Sequence, residues 1–107
     1  MRTVTHVLAS GGTATASRQS DIFDPNNGGI QGKVDLGDAA VLETAVQAAL
    51  AAQPAWAATN PQRRARVMFK FKELVEAHMD ELAELLSREH GKVIADSKGD
   101  VQRGLEV

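Results

Sequence analysis

The order of its segments predicts that this 107-residue chain is an α+β unit or a helical layer of something larger. Strand-like runs fill the first third, and the rest has apolar residues that recur as on one face of a helix. The formal net charge is −2 with both signs interspersed, so we expect neither a nucleic acid nor an anionic membrane surface as a partner. No apolar run approaches the ~20 residues of a membrane helix and no signal segment is evident, which favours the cytosol.

Two strand-like runs that flank a cluster of turn-forming residues predict a β-hairpin. The runs cover residues 21–23 and 30–34, and residues 24–29 between them are Asp, Pro, Asn and Gly, which favour tight turns. Gly32 inside the second run predicts a bulge or a close approach of another backbone segment. Residues 1–20 are expected to form an N-terminal arm, with a possible short strand over residues 3–9.

A helix with a face of small residues is expected after the hairpin. Asp38 precedes apolar pairs that are spaced as on a helix and is the expected N-cap. Pro54 lacks a backbone N–H and is expected to end this helix, which would leave Trp56 in the connection that follows. There the ring would cover the end of a core, with ligand stacking as the alternative.

The stretch from Asn60 to Gly91 has the strongest helical pattern in the chain. Pro61 pre-sets φ for the first turn, and Asn60 can cap it. Apolar residues then recur every three or four positions, which predicts one long helix or two helices in line, and Gly91 is the expected stop. His78 falls on this stripe and is expected to be part-buried. Phe69 projects away from the stripe, which indicates a second buried face.

The last segment is also helical, and nothing downstream covers its apolar residues. A helix is expected to begin between residues 93 and 96, and Val101 and Leu105 lie four apart on one face. Leaving one such side chain in water forfeits roughly 1.5–3 kcal/mol. We therefore expect a fragment of a longer protein, with a non-enzymatic helical interaction module or a gene remnant as the alternatives.

Few residues of the chain offer catalytic chemistry. There is no cysteine, which excludes disulfides, thiolate metal sites and cysteine nucleophiles within these residues. The three histidines have no recognised zinc spacing, and the glycine pairs are expected to be turns rather than phosphate loops. Arg103 is a candidate ligand-binding cation, because a guanidinium beside the small Gly104 could clamp a carboxylate. A solvated surface Arg is the alternative.

Four segments together resemble the amino-terminal region of the aldehyde dehydrogenase superfamily. They are the hairpin at residues 21–34, the end of the small-residue helix at 53–56, the helix start at 61–66, and the Glu-His-Gly-Lys sequence at 89–92. Asn27 and Gly29 depart from the Thr and Glu that are common in that hairpin. Residues 56–71 and 99–107 look most like the CoA-acylating methylmalonate-semialdehyde dehydrogenases.

The resemblance implies an α/β fold in which residues 21–107 are the N-terminal part of an NAD-binding domain. This part would be a β-hairpin followed by three or four helices, with the central Rossmann-like sheet missing. The intact enzymes are homo-oligomers that use NAD and coenzyme A to convert a small semialdehyde into propionyl-CoA or acetyl-CoA. Their nucleophile is a cysteine that falls beyond residue 107, so the chain alone is expected to be inactive.

The resemblance also implies roles for two residues of the last helix. An Arg placed as Arg103 is would pair with the carboxylate of the semialdehyde substrate. A carboxylate aligned with Asp100 would help a hairpin carbonyl to hold a monovalent metal cation, with helix capping as the alternative.

Overall fold

The computed structural model describes all residues from Met1 to Val107. They divide into two units, Met1–Phe23 with Ile30–Asn60, and Asp24–Gly29 with Pro61–Val107. The chain has five strands and four helices: β1 (Arg2–Val4), β2 (His6–Val7), β3 (Thr13–Ala14), β4 (Arg18–Phe23), β5 (Ile30–Leu36), α1 (Ala39–Ala58), α2 (Pro61–Ala77), α3 (Met79–His90) and α4 (Ile94–Glu106). No helix is long and apolar enough to cross a membrane.

The sheet of the first unit has the strand order β1-β5-β4 and contains the predicted hairpin. β4 and β5 are antiparallel, and β4 begins at Arg18, earlier than predicted. The register shifts between Ile22 and Phe23, where Gln31 of β5 is the extra residue of a bulge. The predicted short strand near the N-terminus is present as two pieces, β1 and β2, and β2 pairs with β3.

Gly32 has the close backbone contact that the sequence predicts. β1 runs parallel to β5 and places Arg2 opposite Gly32. A Cβ atom built on Gly32 would lie 2.8 Å from the backbone oxygen of Arg2, closer than van der Waals contact allows. Only glycine therefore lets β1 join this sheet in the observed position. Because β1 belongs to this sheet, the first residues are part of the first unit, while the boundary of the N-terminal arm at residue 20 stays a prediction.

α1 begins as predicted but does not end as predicted. The carboxylate of Asp38 accepts a hydrogen bond of 2.9 Å from the backbone N–H of Val41, so Asp38 is the N-cap. The helix continues through Pro54, and Trp56 lies inside it rather than in a connection, so both of these predictions were wrong. A proline removes one intrahelical hydrogen bond, but the many alanines of this helix have the highest helical propensity and offset that loss.

In the second unit, the long apolar stripe forms two helices that meet at His78. α2 begins at Pro61 as predicted, and α3 begins at Met79. The side chain of His78 is 58% exposed, so the prediction of a part-buried histidine was wrong. Residues at a helix junction leave the helical face, and the Nδ1 atom of His78 lies 2.9 Å from a carboxylate oxygen of Glu81 instead.

The end of α3 and its packing against α4 form the small core of this unit. Gly91 has φ 87° and donates its N–H to the carbonyl of Ser87 at 2.8 Å, which confirms the predicted stop. Ala83 of α3 and Ser97 of α4 are fully buried. The hydroxyl groups of Ser87 and Ser97 are hydrogen-bonded at 2.7 Å. α4 begins at Ile94, inside the predicted range.

Candidate functional site

Three charged residues meet where the loop after α3 joins α4, and we call them the Lys92–Asp100–Arg103 cluster. The left-handed turn at Gly91 reverses the chain so that Lys92 lies beside α4. The ammonium group of Lys92 donates to Oδ2 of Asp100. Arg103, one turn further along α4, donates from Nη1 to Oδ1 of the same carboxylate at 3.1 Å. Asp100 thus connects a loop residue to a helix residue.

Exposure and charge differ across this cluster. The side chains of Lys92 and Asp100 are 23% and 34% exposed, whereas that of Arg103 is 80% exposed. The pKa of Asp100 is lowered, chiefly by the hydrogen bond from Lys92. Burial opposes this effect, and the positive charges of Lys92, Arg103 and His90 lower the pKa further. One carboxylate against two cations leaves the cluster with a net charge of +1. Such a cluster can attract and bind a carboxylate.

The structure brings together the two site residues that the sequence singled out and adds a third. Asp100 and Arg103 are in direct contact. Lys92 was missed, because its role depends on a contact across the turn that helical spacing does not reveal. The available signal was the glycine at position 91, since a left-handed turn brings the next residue back toward the following helix.

The predicted cation site at Asp100 lies beside two positively charged side chains. Both carboxylate oxygens accept hydrogen bonds from positively charged side chains, and such neighbours repel a metal cation. No group of three or more His, Cys, Asp or Glu residues could hold a metal ion. The cation role of Asp100 stays a prediction.

An apolar groove of about 700 Å³ lies between α2 and α4. Phe69 and Phe71 both line it, and they are 70% and 59% exposed. The groove also includes Met68, Val75, Val101 and Leu105. Side chains of this size normally pack against other apolar groups, so the groove is a surface on which further polypeptide can pack. Nothing in the chain itself covers it.

The start of α1 follows a strand, as in a dinucleotide site, but is capped by a carboxylate. A pyrophosphate binds the free N–H groups of a helix that follows a strand through a glycine-rich turn. α1 follows β5 in this way, through Gly37. However, the carboxylate of Asp38 already accepts from Val41 there, and its negative charge repels a phosphate. A second cavity of about 540 Å³ borders this helix start and contains one histidine, His6.

The sequence profile of the aldehyde dehydrogenase family matches residues 13–107, and the chain belongs to this family. A structure assigned as a methylmalonate-semialdehyde dehydrogenase from Sinorhizobium meliloti, solved in complex with NAD, has 54% identity and a TM-score of 0.93 over 99% of the chain. The malonate-semialdehyde dehydrogenase of Pseudomonas aeruginosa is 40% identical over 106 residues, 99% of the chain.

A third relative, from Rattus norvegicus, has a name that includes the acylating reaction. This mitochondrial methylmalonate-semialdehyde/malonate-semialdehyde dehydrogenase is 39% identical over 87 residues, 81% of the chain. The chain spans only 22% of the Sinorhizobium structure, 21% of the Pseudomonas protein and 16% of the rat protein. The predicted aldehyde dehydrogenase-like fold, a hairpin followed by helices, is confirmed by the structural match.

Proposed function

We propose that residues 1–107 are the N-terminal part of an NAD-dependent, CoA-acylating methylmalonate- or malonate-semialdehyde dehydrogenase. The observation that carries this proposal is the match over 99% of the chain to a structure with that assignment and with NAD. In the proposed reaction, methylmalonate semialdehyde, NAD⁺ and CoA give propionyl-CoA, CO₂ and NADH. Malonate semialdehyde gives acetyl-CoA in the same way. Within this enzyme, we expect the Lys92–Asp100–Arg103 cluster to contribute to substrate binding.

Within that enzyme, Arg103 would bind the carboxylate of the semialdehyde. Its guanidinium makes one hydrogen bond, through Nη1 to Asp100, and its other N–H groups are available to a ligand. A carboxylate can then accept two parallel hydrogen bonds from the planar group. Gly104 supports this role, because a Cβ atom built there would meet nothing within 4 Å, which leaves space beside the guanidinium.

The isolated 107-residue chain is expected to lack the activity of the intact enzyme. The chain has no cysteine, and members of this family attack the aldehyde with a cysteine thiolate. We therefore expect no CoA-dependent NADH formation by the 107-residue chain. Homo-oligomerisation of the intact enzyme and a cytosolic location stay predictions.

The exposed groove between α2 and α4 favours a second candidate function. A chain with Phe69, Phe71 and Leu105 on one open groove could act as a non-enzymatic module that binds another protein. The two functions differ in what completes the groove. In the dehydrogenase the groove would be covered by the remainder of the same enzyme, whereas the module would bind a separate chain.

A chimeric enzyme tests the dehydrogenase function. Residues 1–107 replace the matching 22% of the Sinorhizobium protein, whose fold is the same over this segment. The product is assayed for NADH formation from methylmalonate semialdehyde with and without CoA, beside the unaltered Sinorhizobium protein. We expect CoA-dependent activity from both. A soluble chimera with the native circular dichroism spectrum but no activity contradicts the proposal.

A reading of the source DNA beyond codon 107 gives an independent test. The proposed dehydrogenase function predicts that the reading frame continues into a glycine-rich segment and a cysteine-containing segment, as the family resemblance implies. A stop codon directly after codon 107 would favour the module or a gene remnant.

A further inference from the structure

We propose that Lys92 is a positioning residue for substrate recognition, which acts by occupying Asp100 and so keeping the guanidinium of Arg103 available to the substrate carboxylate. This inference rests on the proposed function, in which Arg103 binds that carboxylate. Lys92 itself does not contact the substrate. Its effect passes through Asp100.

The geometry of Asp100 carries the first step of the argument. Lys92 holds Oδ2, and Arg103 reaches only Oδ1, through a single nitrogen atom at 3.1 Å. A carboxylate with both oxygens open prefers a guanidinium in a paired, two-bond arrangement. If Lys92 is removed, Oδ2 of Asp100 loses its partner, and both carboxylate oxygens can accept hydrogen bonds from the guanidinium of Arg103. Asp100 then competes with the substrate carboxylate for the same N–H groups.

The charge balance points in the same direction. With Lys92 present, the cluster has a net charge of +1 and attracts an anionic substrate. Without it, the full negative charge of Asp100 faces Arg103 and offsets the attraction of the guanidinium for an anionic substrate. The Lys92–Asp100 pair is also the less exposed of the two ion pairs, so solvent screens it less than the pair with Arg103. Asp100 therefore binds Lys92 more strongly than it binds Arg103.

The test measures discrimination between two aldehydes in the chimeric enzyme. Methylmalonate semialdehyde has the carboxylate, and propanal is the same aldehyde without it, while both give propionyl-CoA. For Lys92→Met, we expect the ratio of kcat/KM for the semialdehyde to that for propanal to fall roughly three- to tenfold, with most of the change in KM. Lys92→Arg should restore most of the ratio, because a guanidinium can also hold Oδ2.

A matched control comes from another lysine–aspartate pair of the same unit. Lys98 of α4 pairs with Asp80 of α3 at 2.7 Å, whereas the pairs of Arg103 and Lys92 are with Asp100. Lys98→Met removes the same charge and should leave the ratio unchanged. A second test removes the competitor. In an Asp100→Asn background, Lys92→Met should change the ratio by less than about twofold, since the amide has no negative charge with which to hold Arg103.

The outcomes separate this inference from the proposed function. If Arg103→Ala leaves the ratio unchanged, the proposed role of Arg103 is wrong. If Arg103→Ala lowers the ratio but Lys92→Met does not, only the role of Lys92 is wrong. Equal losses for both aldehydes in Lys92→Met indicate a merely structural role and overturn the inference. A loss in the Asp100→Asn background as large as that in the parent background also overturns it. If Lys92→Met is insoluble, Lys92→Gln, which keeps a polar end without the charge, takes its place and is judged by the same outcomes.

Discussion

The turn at Gly91 should be sensitive to one added methyl group. Gly91 has φ 87°, in the left-handed region, where an L-residue with a Cβ atom costs about 1–2 kcal/mol. A Cβ atom at this position would also lie 3.1 Å and 3.2 Å from two carbons of the Pro25 ring, which is tighter than ordinary contact. Both effects destabilise the Gly91→Ala variant. The total loss of stability in Gly91→Ala should be at least the cost of the left-handed backbone conformation.

Hydrogen exchange measures this cost locally. The N–H of residue 91 donates to the carbonyl of Ser87, so it exchanges only when the end of α3 opens. A cost of about 1–2 kcal/mol raises the open population roughly 5- to 30-fold. We expect that acceleration in peptides that cover residues 87–93 of the chimeric enzyme, after correction for the different intrinsic rates of Gly and Ala.

A second glycine provides a control with the opposite sign. Gly99 lies inside α4, and a Cβ atom there would meet nothing within 4 Å. Alanine stabilises a helix interior relative to glycine by about 0.5–1 kcal/mol, so Gly99→Ala should slow exchange in α4 by roughly two- to fivefold. Exchange at position 91 that is no faster in Gly91→Ala than in the parent would refute the reasoning about this turn.

Three other substitutions test the packing and the electrostatics. Ser97→Ala should destabilise the packing of α3 on α4 by about 1–3 kcal/mol, because it leaves the Ser87 hydroxyl without its partner. Changing both serines to Ala should cost less than the sum of the two single changes, and hydrogen exchange measures each cost. Gly32→Ala should release β1 from the sheet, since the new Cβ atom would overlap its backbone, and exchange of the β1 amides should accelerate. Lys92→Met should raise the pKa of Asp100 in a carbon-13 NMR titration, because the hydrogen bond from the ammonium group is the largest cause of its lowered pKa. A lowered pKa of Asp100 stabilises the folded chain above about pH 4, and this stabilisation is lost as the pH falls through the folded-state pKa. Lys92→Met should therefore make the free energy of unfolding less dependent on pH in this acid range.

Features fixed by local chemistry could be predicted from the sequence. Asp38 caps its helix because a short carboxylate reaches the N–H of Val41 in any such turn. Gly91 ends α3 because glycine adopts positive φ at little cost. The hairpin follows from its turn residues, and the Asp24 carboxylate accepts from the backbone N–H of Asn26 at 2.8 Å there.

Features that depend on a balance between opposing energetic contributions could not be predicted in the same way. Pro54 was expected to end α1, but the propensity of its alanines outweighs one missing hydrogen bond. The break at His78 interrupts a stripe that is periodic on both sides, so periodicity alone does not locate it. In the site, the resemblance indicated Asp100 and Arg103, whereas the link to Lys92 required the path of the chain around Gly91.

The pairing of β1 with β5 has a consequence for the order of folding. α3 and α4 are joined by only three residues, and their contacts close a short loop at small entropic cost. β1, in contrast, is synthesised first but aligns Arg2 with Gly32, so it must wait until β5 has left the ribosome. Non-local strand pairing of this kind is slow compared with helix formation. β1 is therefore expected to be among the last segments to acquire its native partner, and during synthesis its backbone hydrogen-bonding groups depend on water.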